Sequence, residues 1–404
     1  MIFAIPLAWL QLTREKMRLL VALAGIGFAV ILMFMQLGFR DALFDSAISL
    51  HKELQGDIVL ISPQSTALIA MKSFSHRRLY QALGYEGVES ISPVYLGFGL
   101  WKNPDPTKRN TRSILVIGID PAGEVFNLPA VTQNLDQIKL SDVLLFDEAS
   151  RAEFGNVEAE FKQGKTISTE IDGRRITVGG LFKLGASFGA DGNVITSDLN
   201  FLRIFDRRNQ GLIDVGLINL KPNANVESVI ERLRGPKSTD PQKPCQRQPG
   251  VPGALPDDIC VLTKQEFVAF EQDYWKSSTA IGFIFAFGTT MGFIVGTVIV
   301  YQILYTDVSD HLPEYATLKA MGYKNSYLFS LVFQEALILA VLGYIPGFAL
   351  CLGLYDMIRN ATSLPVMMTL ERSILIFCLA LVMCCISGAI AVRKAQSADP
   401  ADIF

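Results

Sequence analysis

Leu19–Phe39 reads LLVALAGIGFAVILMFMQLGF, a run of 21 residues without a charged side chain. A helix that crosses a bilayer needs about 20 mainly apolar residues. Three further stretches meet this length: Ser277–Thr306 and Ser373–Val392 carry no charge, and Asn325–Tyr355 carries only Glu335. The sequence therefore predicts one spanning helix near the start of the chain and three more in its last third.

The composition fits a membrane protein, because the 404 residues are 50% hydrophobic and only 19% charged. The net charge of −3 argues against nucleic-acid binding, which needs a basic face. Met1–Trp9 lacks the basic n-region of a cleavable signal peptide, and no small-residue cleavage site follows Phe39. We therefore expect the first span to remain in the membrane.

The order of these segments predicts a 1 + 3 membrane α-helical fold with a large α+β extracytoplasmic domain between helices one and two. The expected spans cover 19–39, 277–306, 325–355 and 373–392. An interfacial cytoplasmic helix at 1–18 precedes them, because Trp9 suits the headgroup layer. The remaining segments are the outer domain at 40–276 with a Pro-rich insertion at 236–258, the cytoplasmic coupling loop at 307–324, the outer loop at 356–372 and the cytoplasmic tail at 393–404.

Lysine and arginine near the span ends predict the orientation, because cytoplasmic loops carry an excess of them. Seven of these basic residues fall on one predicted side of the membrane: Arg14, Lys16, Arg18, Lys319, Lys324, Arg393 and Lys394. Only Arg359 and Arg372 fall on the other side. Both termini and the loop at 307–324 are therefore expected in the cytoplasm of an inner (plasma) membrane protein, and the large domain outside it.

Apolar residues at the spacing of one helix face occur on both sides of the outer domain. They are Leu43, Ala47, Leu50 and Leu54 after the first span, and Phe267, Phe270 and Tyr274 before the second. Helices at 40–55 and 264–276 are expected to pair as a stalk. Two unrelated surface helices are the alternative.

Within the outer domain, β-branched residues that alternate with polar ones predict strands. Predicted strands cover Asp57–Ile61, Ser113–Ile119, Val143–Phe146, Thr166–Ile171, Arg175–Gly180 and Val215–Leu220, and predicted helices cover Ser75–Leu83, Ala149–Phe154, Ser197–Phe205 and Val226–Leu233. Asp172-Gly173 predicts a hairpin turn. The mixture indicates an α+β domain with at least two subdomains.

Cys245 and Cys260 lie on the expected oxidising side of the membrane, in and beside the Pro-rich insertion. We expect a disulfide between them, with two unpaired thiols as the alternative. The chain has only three histidines, no metal-ligand spacing, no nucleophile elbow and no complete phosphate-binding loop. The sequence therefore predicts no catalytic residue, no metal site and no cofactor bound by this chain.

Two features of the spans have more than one interpretation. Gly288, Gly292 and Gly296 recur at four-residue spacing, so they form a small-residue seam that packs either on another span of this chain or on a second copy in a homodimer. Glu335 is an ionisable residue within a span, where a carboxyl group usually faces protein or water. Either a structural hydrogen bond or a functional role would account for it.

The loop at 307–324 carries the sharpest local pattern. Pro313 and Glu314 suit a first helical turn, and Gly322 suits a helix end. They bound a helix of about nine residues, too short to be stable alone in water. A docking helix for a cytoplasmic partner is one interpretation, and a plain connector is the alternative.

This loop resembles the E-x-x-x-L-[KR]-A-[ML]-G loop of FtsX/MacB-type (type VII) ABC transporter permeases. The tail Arg393-Lys394-Ala395 followed by Asp399-Pro400-Ala401 resembles their basic end and D-P-A sequence. The 1 + 3 topology and the N-terminal interfacial helix are similar too. The resemblance implies that a separate cytoplasmic ABC ATPase, which holds ATP and Mg²⁺, docks on the loop. The coupling residues that it implies are Pro313, Glu314, Leu318, Lys319, Ala320, Met321, Gly322 and Tyr323.

The stretch at 178–197, VGGLFKLGASFGADGNVITS, and the opening at 5–12, IPLAWLQL, resemble DevC-type permeases. That resemblance implies a DevA-like ATPase, a DevB-like membrane-fusion adaptor, a TolC-like outer-membrane duct and export of an amphiphile, such as a glycolipid, by a homodimer. The insertion at 236–258 departs from that pattern, which leaves the adaptor contact open. The alternative is an FtsX-like signalling subunit that activates a periplasmic cell-wall hydrolase without transport.

Overall fold

The computed structural model describes residues 16–108, 110–235, 254–362 and 364–396, together with Trp9, Arg14 and Cys245. Most of the expected interfacial helix at 1–18, most of the insertion at 236–258 and the tail from 397 onward lie outside the described residues. The chain divides into two compact units. One comprises Met1–Ala42, Ala280–Ala361 and Val366–Phe404, and the other comprises Leu43–Thr279 and Thr362–Pro365.

The described helices follow one another in chain order. They are α1 (Lys16–Ala47), α2 (Ser49–Glu53), α3 (Arg77–Leu83), α4 (Pro129–Gln133), α5 (Leu135–Ile138), α6 (Val157–Lys162), α7 (Asp198–Ile204), α8 (Val226–Arg234), α9 (Lys264–Asp273), α10 (Ala280–Asp310), α11 (Leu312–Ala320), α12 (Asn325–Thr362) and α13 (Leu370–Gln396). A π-helical turn, Tyr274–Ser278, connects α9 with the chain before α10.

Four of the described helices, α1, α10, α12 and α13, are long and apolar enough to cross a membrane. One lies near the N-terminus and three lie in the last third, as the sequence predicts. All four continue beyond the expected spans. The largest extensions are those of α1, which continues to Ala47, and α12, which continues to Thr362 through its internal Pro346. Helical hydrogen bonding need not stop at a bilayer edge. The loop expected at 356–372 is therefore shorter than predicted, because α12 ends at Thr362 and α13 begins at Leu370.

The second unit is an α/β domain. Its strands are β1 (Ile58–Ile61), β2 (Phe74–Ser75), β3 (Val88–Lys102), β4 (Thr111–Ile119), β5 (Val143–Asp147), β6 (Ser168–Ile171), β7 (Arg174–Phe182), β8 (Asn193–Ser197), β9 (Leu212–Ile213), β10 (Val215–Leu220) and β11 (Cys260–Thr263). Nine of them form one sheet in the order β11-β1-β10-β3-β4-β8-β5-β7-β6, and β2 pairs with β9 separately. The pairs β4–β8 and β5–β7 are parallel.

Both faces of the large sheet are covered by apolar side chains. Along β4, Ile114 and Val116 lie in one core while Leu115 lies in the other, as the two-residue period of a strand requires. Helix α7 covers the first face with Phe201, and α9 covers the second with Phe267. Nine of the eleven strands belong to one sheet, and the domain forms one compact unit, so the structure does not divide it into the two or more subdomains that the sequence predicts.

The chain enters and leaves this domain at neighbouring strands, since Ile58 of β1 pairs with Thr263 of β11. The helices beside these strands also touch. The ring of His51 in α2 lies 4.4 Å from the ring of Phe267 in α9, centroid to centroid. The two segments expected to form a stalk therefore pack together, although the first one breaks at Ile48 between α1 and α2.

Some predicted elements of the domain are confirmed and others are wrong. The hairpin β6–β7 turns at Asp172 and Gly173, both with positive φ, as predicted. The helix predicted at Ala149–Phe154 is wrong, because only Ala152–Phe154 forms a short 3₁₀ turn. The buried carboxylate of Asp147 accepts the backbone N–H of Ala149 at 3.0 Å and holds the start of that segment in a turn.

Candidate functional site

The loop between α10 and α12 folds as the sequence predicts. Pro313 lies in the first turn of α11, and Glu314 lies close to the positive end of the helix dipole. Gly322 ends the helix with a φ of +91°. Its N–H donates to the carbonyl of Lys319 at 2.9 Å, and the N–H of Tyr323 donates to that of Leu318 at 3.1 Å. These two bonds form a Schellman motif, which explains why a glycine stands at this position.

One face of α11 is built into the helical unit. Tyr315 and Ala316 are buried, and Leu318 is half-buried. Tyr315 packs in a core with residues from α10, α12 and α13, namely Val308, Leu328, Leu331, Val332 and Val392. This packing supplies the stability that a nine-residue helix lacks by itself.

The other face of α11 and the turn after it are open to solvent. Met321 is 64% exposed and Tyr323 is 46% exposed. Pro313, Glu314 and Ala320 are exposed as well. These residues lie outside the helical core and are accessible to a partner. We call the exposed set Pro313, Glu314, Thr317, Ala320, Met321 and Tyr323 the loop face.

The structure thus divides the predicted coupling residues. Leu318 packs inward and Lys319 is only partly exposed, whereas most of the others lie on the loop face. Tyr315, which the sequence analysis did not select, provides the largest buried contact. The three-residue spacing of Leu312, Tyr315 and Leu318 would have separated the inner face from the outer one.

Charged side chains fix the start of α11. Arg18, near the beginning of α1, forms a salt bridge with Asp310 and lies 3.5 Å from Oδ1 of Asp307, both at the end of α10. The Nδ1 atom of His311 lies 2.9 Å from the backbone carbonyl of Asp307. The sequence analysis used Arg18 only as an orientation signal. In the structure it links the first span to the loop.

Glu335 lies in α12 close to this core and is fully buried. Within the described part of the chain, neither its carboxyl oxygens nor the hydroxyl of Tyr315 makes a hydrogen bond. Burial, and to a lesser extent the nearby carboxyl group, raises the pKa of Tyr315 far above its usual range. The described residues thus offer Glu335 no hydrogen bond, and both interpretations of this residue stay predictions.

The glycine seam of α10 faces other helices of the same chain. A Cβ atom added at Gly292 would lie 3.5 Å from Leu32 and Met33 of α1, and one added at Gly296 would lie 2.7 Å from Ala29. At Gly288 the nearest side chain is Gln36, again in α1 (2.6 Å). The small residues let α10 approach α1 closely, as the same-chain interpretation expects.

The predicted cysteine pair is joined in the structure, where a disulfide connects Cys245 to Cys260 at the start of β11. Its place at the first residue of β11 ties the insertion to an outer strand of the large sheet. Among the described residues, no group of three or more His, Cys, Asp or Glu side chains could hold a metal ion.

Comparisons with known proteins match two successive parts of the chain. The family model described as the MacB-like periplasmic core domain matches residues 19–235, and the model described as the FtsX-like permease C-terminal domain matches residues 278–400. No curated protein sequence matches the chain.

Three solved structures are similar at low identity. The periplasmic region of MacB from Actinobacillus actinomycetemcomitans matches with 10% identity and a TM-score of 0.33, covering 52% of this chain and 89% of that one. The extracellular domain of the noncanonic ABC-type transporter YknZ from Gram-positive bacteria matches with 16% identity and a TM-score of 0.29, covering 43% of this chain and 87% of that one. A domain of a putative permease protein from Porphyromonas gingivalis matches with 16% identity and a TM-score of 0.28, covering 46% of this chain and 79% of that one.

Proposed function

The chain belongs to the MacB/FtsX-like family of ABC transporter permeases, and from this premise we propose that it is the permease subunit of a tripartite exporter. In this proposal a separate cytoplasmic subunit hydrolyses ATP. A periplasmic adaptor and an outer-membrane duct complete the path. The permease acts as a homodimer in the inner membrane with both termini in the cytoplasm.

The observation that carries the proposal is the two-sided character of α11. Its inner face is anchored by Tyr315 in a core shared with three spanning helices, while Met321 and Tyr323 remain exposed. An ATPase bound to the loop face would move α11, and the packed core would pass that motion to α10 and α12. Coupling residues in this proposal therefore fall into a docking set and a transmitting set.

We propose an amphiphile, such as a glycolipid, as the exported substrate. The described spanning helices are rich in apolar side chains, with mean hydropathies of 2.1 to 2.8 over their most apolar windows. Such helices suit a protein that acts on molecules at the membrane surface rather than one that conducts ions. The stretch at 178–197 supports a DevC-like assignment, with DevA-like, DevB-like and TolC-like partners.

The test is a gentle purification of the full chain from native membranes, followed by identification of its partners by mass spectrometry. We expect a cytoplasmic ATPase together with a periplasmic adaptor. An ATPase with a cell-wall hydrolase and no adaptor would support the FtsX-like signalling role instead. Recovery of neither class of partner would overturn the docking role of the loop face.

A further inference from the structure

The segment that joins β7 to β8 is a closely held loop. The buried carboxylate of Asp147 accepts the backbone N–H groups of Leu184 and Gly185 at 3.0 and 2.9 Å. It also accepts the side-chain amide of Asn193 at 2.8 Å, and that amide donates again to the carbonyl of Gly185 at 2.9 Å. A charged acceptor with several donors fixes the loop geometry strongly.

The tip of this loop displays an aromatic side chain. The N–H of Ser187 donates to the carbonyl of Ala190 at 2.8 Å, and the N–H of Ala190 donates to Oγ of Ser187 at 3.0 Å. Between them the side chain of Phe188 is 49% exposed. Its ring meets the ring of Trp275 edge to face, with the two centroids 4.9 Å apart.

A second loop lies against the first. Its backbone is held by Glu271, which accepts the N–H of Leu68 at 2.7 Å and the indole N–H of Trp275 at 2.8 Å. The next residue, Ile69, is 40% exposed. It packs on Gly189, where an added Cβ atom would lie 2.6 Å from the Ile69 methyl group. Phe188 and Ile69 thus form one exposed apolar patch beside Trp275, here called the Phe188–Ile69 patch.

The chain places this patch near a membrane surface. Trp275 precedes Ala280, the first residue of α10, by five residues, of which four belong to the π-helical turn. Because Thr279 between them is extended, the two residues are separated by at most about 17 Å. The headgroup layer is about 5–8 Å thick on each side of a bilayer, and tryptophan and tyrosine concentrate there. Trp275 and its neighbour Phe188 are therefore within reach of the headgroup layer.

Size and charge at the patch favour a lipid partner. Two large apolar side chains are too few for a stable protein interface, which buries about 800 Å² on each partner. An aromatic and an aliphatic side chain are enough for an interfacial contact with lipid. Exposed Lys72, Lys183 and Lys276 adjoin the two loops and Trp275 in sequence. Basic residues at this level attract anionic headgroups.

We propose that the Phe188–Ile69 patch inserts into the headgroup layer of the leaflet that adjoins the α/β domain. The patch is then a lipid contact of the domain itself, distinct from the spanning helices. This assignment does not depend on the substrate, on the ATPase or on which side of the membrane the domain occupies.

The test uses the full chain in nanodiscs that contain a lipid with a nitroxide on its headgroup. The four cysteines outside the disulfide are first replaced by alanine: Cys351, Cys378, Cys384 and Cys385. A bimane label is then attached at Phe188→Cys, at Ile69→Cys and, as a control, at Leu100→Cys. Leu100 is also an exposed apolar residue (54%), but it lies at the end of β3 beside the β6–β7 hairpin.

The expected result is the loss of most bimane fluorescence at both patch positions and retention of most of it at the control. Thermal unfolding of each labelled variant shows whether the fold is preserved, and the second patch position replaces the first if one variant does not fold. A label in a folded variant that is quenched no more than the control overturns the proposal.

Discussion

Replacing Met321 by aspartate is the sharpest test of the loop face. The side chain of Met321 is 64% exposed, so most of its surface is in contact with solvent. The Schellman motif at Gly322 is made by backbone groups, so it does not require the methionine side chain. The substitution is therefore expected to leave the fold of α11 intact while it changes the surface offered to the ATPase.

The size of the effect follows from the exposed area. Full burial of a methionine side chain contributes about 1.5–3 kcal/mol, so the 64% that is still exposed corresponds to about 1–2 kcal/mol. A carboxylate at the same place also loses water on binding, and this costs more than the about 1–3 kcal/mol of a neutral polar group. The sum of at least about 2 kcal/mol weakens docking roughly 30-fold or more, because about 1.4 kcal/mol corresponds to a tenfold change in affinity.

The assay titrates the purified partner ATPase onto the permease in nanodiscs and follows ATPase stimulation. Met367→Asp is the matched control, because Met367 is 62% exposed in the segment before α13, well away from α11 in the chain. We expect the M321D variant to lose affinity by at least that factor and the M367D variant to bind as the wild type does. Equal binding by all three proteins would refute the assignment of the loop face as the docking surface.

Three further predictions concern stability, each measured by thermal unfolding of the full chain in detergent. Gly343→Ala places a Cβ atom 2.5 Å from an isoleucine of α1 and is expected to cost about 1–3 kcal/mol, whereas Gly353→Ala meets nothing within 4 Å and should be neutral. Burial raises the pKa of Glu271 to about 7, so the native state keeps a proton that the unfolded chain releases near pH 4.5, and stability falls as the pH rises between these values. The Glu271→Gln variant does not show this loss, so its free energy of unfolding should rise relative to that of the wild type by up to about 3 kcal/mol as the pH increases from 4.5 to 8. A difference in unfolding free energy that stays constant across this range would contradict the raised pKa of Glu271. Removal of the Cys245–Cys260 bridge, 15 residues apart, should cost about 3 kcal/mol, and a reductant should then have no further effect.

The spanning helices and the loop helix were predictable because local signals decide them. Long uncharged runs can satisfy their backbone in a membrane only as helices. A proline in the first turn and a glycine with positive φ at the end bound α11 without any tertiary information. The hairpin at Asp172 follows the same logic, because its turn requires residues that tolerate positive φ.

The longest strand was missed because tertiary packing overrides local propensity there. β3 contains Pro93, Gly97 and Gly99, residues that argue against a strand. The structure explains the two glycines: a Cβ atom at Gly97 would lie 2.8 Å from the ring of Phe205, and one at Gly99 would lie 2.5 Å from Ile171. These positions are small because side chains from distant parts of the chain occupy the space, and a single sequence does not reveal that.

The functional loop was located from sequence, but its two faces were not separated. Residues were selected by resemblance to a motif, and such a motif mixes positions that bind a partner with positions that hold the helix in place. Leu318 belongs to the second kind, since it packs toward Tyr315. The contact of Arg18 with Asp310 joins residues 292 positions apart, so no local pattern indicates it.

The order of the sheet determines when this protein can finish folding during synthesis. β1 lies between β10 and β11, although about 150 residues separate it from the first of these partners in the chain. At about 5–20 residues per second, its four apolar residues wait roughly 8–30 seconds for a partner strand. During that interval β1 is an unpaired hydrophobic edge, which is prone to aggregation. Newly made domains should therefore depend on a holding chaperone in the compartment where the domain emerges, and depletion of that chaperone should reduce the yield of membrane-inserted protein.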